Sequence, residues 1–167
     1  YCNLIFHFST FNSYRTIDVM ITWKFAAFNE LTVDELYAII TLRNEVFVVE
    51  QNCVYQDADN KDQISFHLSG WHNDELIAYC RILPPGISYE EASIGRVVTS
   101  PAYRNTGSGK ELMKMAIEKT LQQFNCKTIV ISAQLYLNKF YTALSFVQIG
   151  EPYLEDNIPH IKMRLTA

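Results

Sequence analysis

The chain has 167 residues, enough for one domain with a sizeable core, since a protein of this length buries roughly two-thirds of the surface its unfolded chain exposes. Hydrophobic residues make up 49% of it, yet no apolar run approaches the roughly 20 residues of a membrane helix, so no membrane association of that kind is expected. A net charge of −4 argues against a nucleic-acid partner, whose phosphates call for a basic patch, and suits a cationic small substrate better.

Residues 1–19, "YCNLIFHFSTFNSYRTIDV", are aromatic-rich but unlike a signal peptide: His7 and Ser9 break the apolar stretch, and no Lys or Arg precedes it. They read as an N-terminal extension, upstream or added, before a domain spanning 20–167 that starts at Met20. "ITWKFAAF" (21–28) alternates as a strand. "LTVDELYAIITLRNEVFVVEQ" then reads as one helix, with a capping box at Thr32 and Glu35 and an apolar stripe of Leu36, Ile39, Ile40, Val46 and Phe47. "DADNKD" (57–62) imitates a calcium loop, but Lys61 takes a ligand position and Asp62 stands where glycine is needed. It is therefore expected to be a solvated acidic loop, and no metal is expected. "SFHLSGWH" and "ELIAYCRILPP" form two strands across an Asn73-Asp74 turn, and "ASIGRVVTS" a further strand. The next helix carries Leu112, Met113, Ala116, Ile117, Leu121 and Phe124 at intervals of three and four. "KTIVISA" is a buried strand, "QLYLNKFYTALS" a short helix, and "FVQIG" and "HIKMRLT" are closing strands. The order β-α-β-β-β-α-β-α-β-β predicts an α/β (α+β) domain with a mixed sheet of about seven strands.

Four cysteines, Cys2, Cys53, Cys80 and Cys126, lie far apart without a CxxC pair, which leaves no zinc knuckle or redox motif and makes a reducing cytoplasm the expected compartment. The chemical signal is "RNTGSGK" (104–110), a glycine loop feeding a helix, where unpaired N–H groups and the positive end of the helix dipole hold phosphate readily. A P-loop is excluded, because Arg104 stands where its first glycine must be and Glu111 where Ser or Thr must follow the lysine. A dinucleotide GxGxxG fails as well, since Leu112 lies three residues beyond Gly109. What remains is R-x-x-G-x-G after the strand "IGRVVTSPAY". No G-x-S-x-G or similar nucleophile signature accompanies it, so a covalent acyl-enzyme has no support.

Together with "LRNEVFVVEQNCVYQDADNKD", "HLSGWHNDELIAYCRIL", "AQLYLNKFYTALSF" and "EPYLEDNIPHIKM", this loop makes residues 21–165 resemble the GNAT superfamily of acetyl-coenzyme A-dependent N-acetyltransferases, in its ElaA-like branch. The resemblance implies that the backbone of Val97, Val98 and Thr99 holds the pantetheine arm. It also implies that the amides of Arg104, Asn105, Thr106, Gly107, Ser108, Gly109 and Lys110 hold the pyrophosphate of acetyl-CoA, with the two glycines allowing close approach and Arg104 and Lys110 adding charge. It assigns Tyr141 to the coenzyme sulfur and Asn138, on the same helical face, to the pantetheine or phosphate portion. A phenol with a pKa near 10 protonates a thiolate of about 8.5 only uphill, so a stabilising hydrogen bond is equally open. The family's usual glycine before the final Phe of that helix is replaced by Ser145. Glu50, His67 and His160 are candidates for the base or the acceptor site, with a base acting through water as a further route; Arg96, Gln134 and Tyr153 join them as candidate walls of the acceptor pocket. The implied reaction is direct acetyl transfer to a primary amine of a small molecule or protein, with a homodimer left open. The alternative is a non-catalytic acyl-CoA-binding protein of the same fold.

Overall fold

The computed structural model describes residues 20–167, arranged as β1 (Thr22–Ala27), α1 (Val33–Arg43), β2 (Phe66–His72), β3 (Glu75–Leu83), β4 (Ala92–Thr99), α2 (Ser108–Phe124), β5 (Thr128–Gln134), α3 (Asn138–Thr142), β6 (Val147–Glu155) and β7 (Ile158–Thr166). The expected extension over residues 1–19 lies outside the described residues. The strands form one mixed seven-stranded sheet, as expected, in the order β1-β2-β3-β4-β5-β7-β6. Every neighbouring pair is antiparallel except β4 and β5, which α2 connects as a crossover.

β3 is buried from Leu76 to Leu83 because both faces of the sheet are covered there. On one face Leu112, Met113 and Ala116 of α2 pack with Leu68, Ile94 and Ile131. On the other, Ile39 and Leu42 of α1 pack with Leu76, Tyr79 and Val98. Thr32 caps α1 as expected: its hydroxyl accepts from the Glu35 amide, and the Glu35 carboxylate accepts from the Thr32 amide. The single helix expected from 32 to 51 instead changes winding at Asn44 and runs as a π-helix to Glu50, a form that recurs at functional sites.

Asn73 and Asp74 take φ of 47° and 64°, the left-handed pair that a two-residue hairpin needs. Asp156 and Asn157 (φ 50° and 63°) repeat the device between β6 and β7, so both strands run longer than "FVQIG" and "HIKMRLT" suggested. Pro152, which cannot donate to a ladder, explains the shortfall, because the β6–β7 register slips between Ile149 and Tyr153. Ser145 sits at φ 70°, so the left-handed cap usually formed by glycine persists with serine in it.

Two irregularities in β4 shape the site. It pairs with β5 only through Ala92–Ile129 and Ser93–Val130, after which the two parallel strands part. It also carries a bulge: Gly95 faces Arg81 and Val98 faces Tyr79, so Arg96 and Val97 both oppose Cys80, with Arg96 at φ 51°.

Candidate active site

Where β4 and β5 part, a groove of about 1140 Å³ opens. Val97, Val98 and Thr99 form one side of it, with backbone groups that β5 no longer pairs. At its mouth lies the glycine loop. Gly107 is the N-cap of α2, and the Lys110 and Glu111 amides both donate to its carbonyl, at 3.0 and 3.1 Å. The Ser108 and Gly109 amides are therefore the free donors of the helix end, whereas Lys110, whose amide is expected among them, has spent its own. Gly107 is required by its φ of 93° rather than by crowding: a Cβ there would meet nothing within 4 Å. The hydroxyls of Thr106 and Ser108 both donate to the Tyr103 carbonyl, at 2.7 and 3.3 Å, which turns Thr106 away from the groove.

Arg104 is not a free cation. Its guanidinium donates to both carboxylate oxygens of Glu50, at 2.8 and 2.7 Å, lowering the Glu50 pKa through that hydrogen bond and raising its own. The residue after Glu50 spans the opposite wall, where Gln134 Nε2 donates to Gln51 Oε1 at 3.1 Å. The end of the π-helix thus touches both the glycine loop and β5.

Tyr141 lines the groove at 4% exposure, held edge-on by Phe140 and Phe146 with ring centroids 5.0 and 5.9 Å away. Burial pushes its phenol up, so it carries its proton at neutral pH and is available as a donor. Asn138 is not brought beside it. It lies outside the groove, accepting from Thr142 Oγ1 at 2.9 Å and donating to Gln148 at 3.4 Å, because α3 begins at Asn138 and its side chain runs along the helix.

Arg96, Gln134 and His160 line the groove; His67 and Tyr153 do not. His67 is 1% exposed with both ring nitrogens engaged, Nδ1 accepting from the Tyr79 hydroxyl at 2.8 Å and Nε2 donating to the Asp62 carbonyl at 3.0 Å. Burial lowers its pKa, and the imidazole is a core polar group rather than part of a substrate site. Tyr153 stacks on His160 and is hydrogen-bonded through its hydroxyl to Ser132.

The acidic loop is the main correction to the sequence. Asp57 is 6% exposed, and "DADNKD" is an ionic core built by three arginines from three elements. Arg43 of α1 donates to Asp57 and Asp62 at 2.7 and 2.8 Å. Arg81 of β3 grips both oxygens of Asp59, at 2.6 and 2.8 Å, and reaches Asp62 at 2.9 Å. Arg96 of the β4 bulge donates to Asp57 at 2.7 Å, which ties its left-handed backbone to the loop. Burial alone would raise the carboxylates, but the arginine hydrogen bonds and charges outweigh it at Asp59 and Asp62, whose pKa values are lowered. The sign lay in the arginines: "AYCRIL" and "ITLRNE" place a guanidinium inside an apolar strand and a core-facing helix, and a buried guanidinium demands carboxylates. Among the described residues, no cluster of His, Cys, Asp or Glu has metal-ligand geometry, and no helix is long and apolar enough to cross a membrane.

Residues 30–167 match the family model described as Acetyltransferase (GNAT) domain. The chain is 44% identical to Protein ElaA of Escherichia coli over 146 residues, which cover 86% of this chain and 95% of that protein. Its fold is similar to the crystal structure of E. coli ElaA, with a TM-score of 0.83 at 42% identity over 87% of this chain and 99% of that one. It is equally similar to an acyl-CoA N-acyltransferase from Pseudomonas aeruginosa, with a TM-score of 0.84 at 41% identity over 88% and 100%. The chain belongs to the GNAT acetyltransferase family, in its ElaA-like branch.

Proposed function

We propose that the protein transfers acetyl from acetyl-CoA to a primary amine of a small molecule or protein, by direct attack of the amine on the thioester. The observation that carries this is the parting of β4 from β5 beside the free amides that begin α2, which leaves a groove with strand donors along one wall and an anion site at its mouth. The residues fit the coenzyme: Val97, Val98 and Thr99 pair with an extended amide-bearing arm, and the Ser108 and Gly109 amides hold its pyrophosphate. Bound there, acetyl-CoA supplies an activated acyl group. The strand amides of the β4 bulge polarise its carbonyl, and orientation in the groove accounts for most of the remaining rate, each effect worth several kcal/mol. The Tyr141 hydroxyl donates to the departing sulfur. A reducing cytoplasm suits this chemistry and the free thiols of Cys53, Cys80 and Cys126.

Thermal unfolding with coenzyme A and with ATP tests the donor assignment. Coenzyme A is expected to raise the midpoint in proportion to the logarithm of its concentration, and ATP to do so far less. Equal stabilisation by both would point to a generic phosphate site instead.

A further inference from the structure

Transfer to an amine that arrives as an ammonium must remove a proton from nitrogen, and most titratable groups near the groove are already committed. Glu50 is clasped by Arg104, which lowers its pKa and weakens it as a base. Asp59 is gripped by Arg81, and His67 has no free nitrogen. Glu155 accepts from Ser132 Oγ at 2.9 Å and stands exposed at the end of β6.

His160 differs from all of these. Its Nδ1 lies 2.8 Å from the Ile158 carbonyl oxygen, and because a carbonyl only accepts, Nδ1 carries the hydrogen. In the neutral ring Nε2 therefore holds the lone pair, and among the described residues it has no hydrogen-bond partner. The ring is placed by its cross-strand neighbours, Gln134 on β5 and Tyr153 on β6. Tyr153 stacks on it at 6.2 Å and is itself pinned to Ser132. His160 faces the same groove as Tyr141 and the parted segment of β4.

We propose that His160 is the general base of the acetyl transfer, taking the acceptor's proton at Nε2. The inference rests on the acetyl-transfer reading. The ammonium gives one proton to Nε2 and the neutral amine attacks the thioester carbon. As the C–N bond forms, the C–S bond breaks with its electron pair going to sulfur. The second proton shed by nitrogen neutralises the thiolate, which Tyr141 steadies, and His160 returns its proton to water. Glu155 and Asp156, at the β6–β7 turn and lining the same groove, draw the acceptor in as a cation from that side.

The test uses the full chain, wild type and His160→Gln, with acetyl-CoA and three probe amines: spermidine, tyramine and a lysine-containing peptide. With an amine that the wild type acetylates, the variant is expected to lose roughly 100-fold or more in turnover, the usual contribution of a positioned base, while coenzyme A affinity by calorimetry is unchanged. Long-range nitrogen–proton NMR of the free wild type, which needs no acceptor, is expected to show His160 with its hydrogen on Nδ1. Turnover near the wild-type value, affinity lost in step with turnover, or a hydrogen on Nε2 would each overturn the base while leaving acetyl transfer intact. A wild-type enzyme that acetylates none of the three amines would instead overturn the acetyl-transfer reading, and this inference with it.

Discussion

Tyr141 is buried, protonated and packed between two aromatic rings, a combination that holds its ring in place in the groove. Tyr141→Phe is therefore expected to lower turnover roughly tenfold or more at nearly unchanged coenzyme A affinity; calorimetry beside a thiol-release assay separates the two, and wild-type turnover in the variant would remove the residue from the chemistry. Asp57 is the complementary case, a residue whose role is structural. It accepts from Arg43, Arg96 and Tyr55, and Asp57→Ala takes from the 1%-exposed Arg43 guanidinium one of its two carboxylates, leaving Asp62. The cost in urea unfolding should be up to about 3–5 kcal/mol, the range for breaking a buried ion pair, with Asp62 keeping it toward the lower end. Tyr141 could be singled out in the sequence only through the family resemblance of "LNKFYTALSF"; by composition alone it reads as a core aromatic. Asp57 could not be singled out, because a run of aspartates looks solvated until the arginines that bury it, supplied by α1, β3 and β4, are known to converge.

At the scale of elements, the glycine loop and the end of the π-helix are opposed. Glu50 holds Arg104 in a bidentate pair across the mouth of the groove, so a phosphate that draws on Arg104 must first compete with Glu50. The pair is substantially exposed and worth on the order of 0.2–1 kcal/mol. Glu50→Gln is thus expected to tighten coenzyme A binding a few-fold in calorimetry; weaker binding would mean that Glu50 organises the loop instead of restraining it. Strand and helix order could be read from the chain because periodicity and capping are local. The change of winding at Asn44 and the parting of β4 from β5 could not, since both depend on what packs across from them. The β6–β7 hairpin was half visible: Asp156-Asn157 is a turn signal as good as Asn73-Asp74, but Pro152 breaks the alternation before it.

For the whole molecule, the ionic core couples stability to pH. Asp59 and Asp62 have pKa values in the folded state below those of the unfolded chain, so the unfolded state binds protons first as pH falls. Their contribution is complete at neutral pH, begins to fade near the ordinary carboxylate value of about 4, and is lost as pH drops through the lowered native values. Urea midpoints should accordingly fall between about pH 7 and about pH 3 with little change in slope, and an unchanged midpoint would contradict the stabilising role given to the network. The network also fixes the loop of residues 57–62 against the β4 bulge, so one wall of the groove is braced by the same charges that hold the domain together. The central claim is that this braced groove transfers acetyl rather than merely holding a coenzyme. Mass spectrometry of spermidine, tyramine and a lysine-containing peptide after incubation with acetyl-CoA tests it most directly. The expected result is one acetyl group added to an amine with one thiol released per transfer; coenzyme A binding with no acetylated product from any of the three would contradict it.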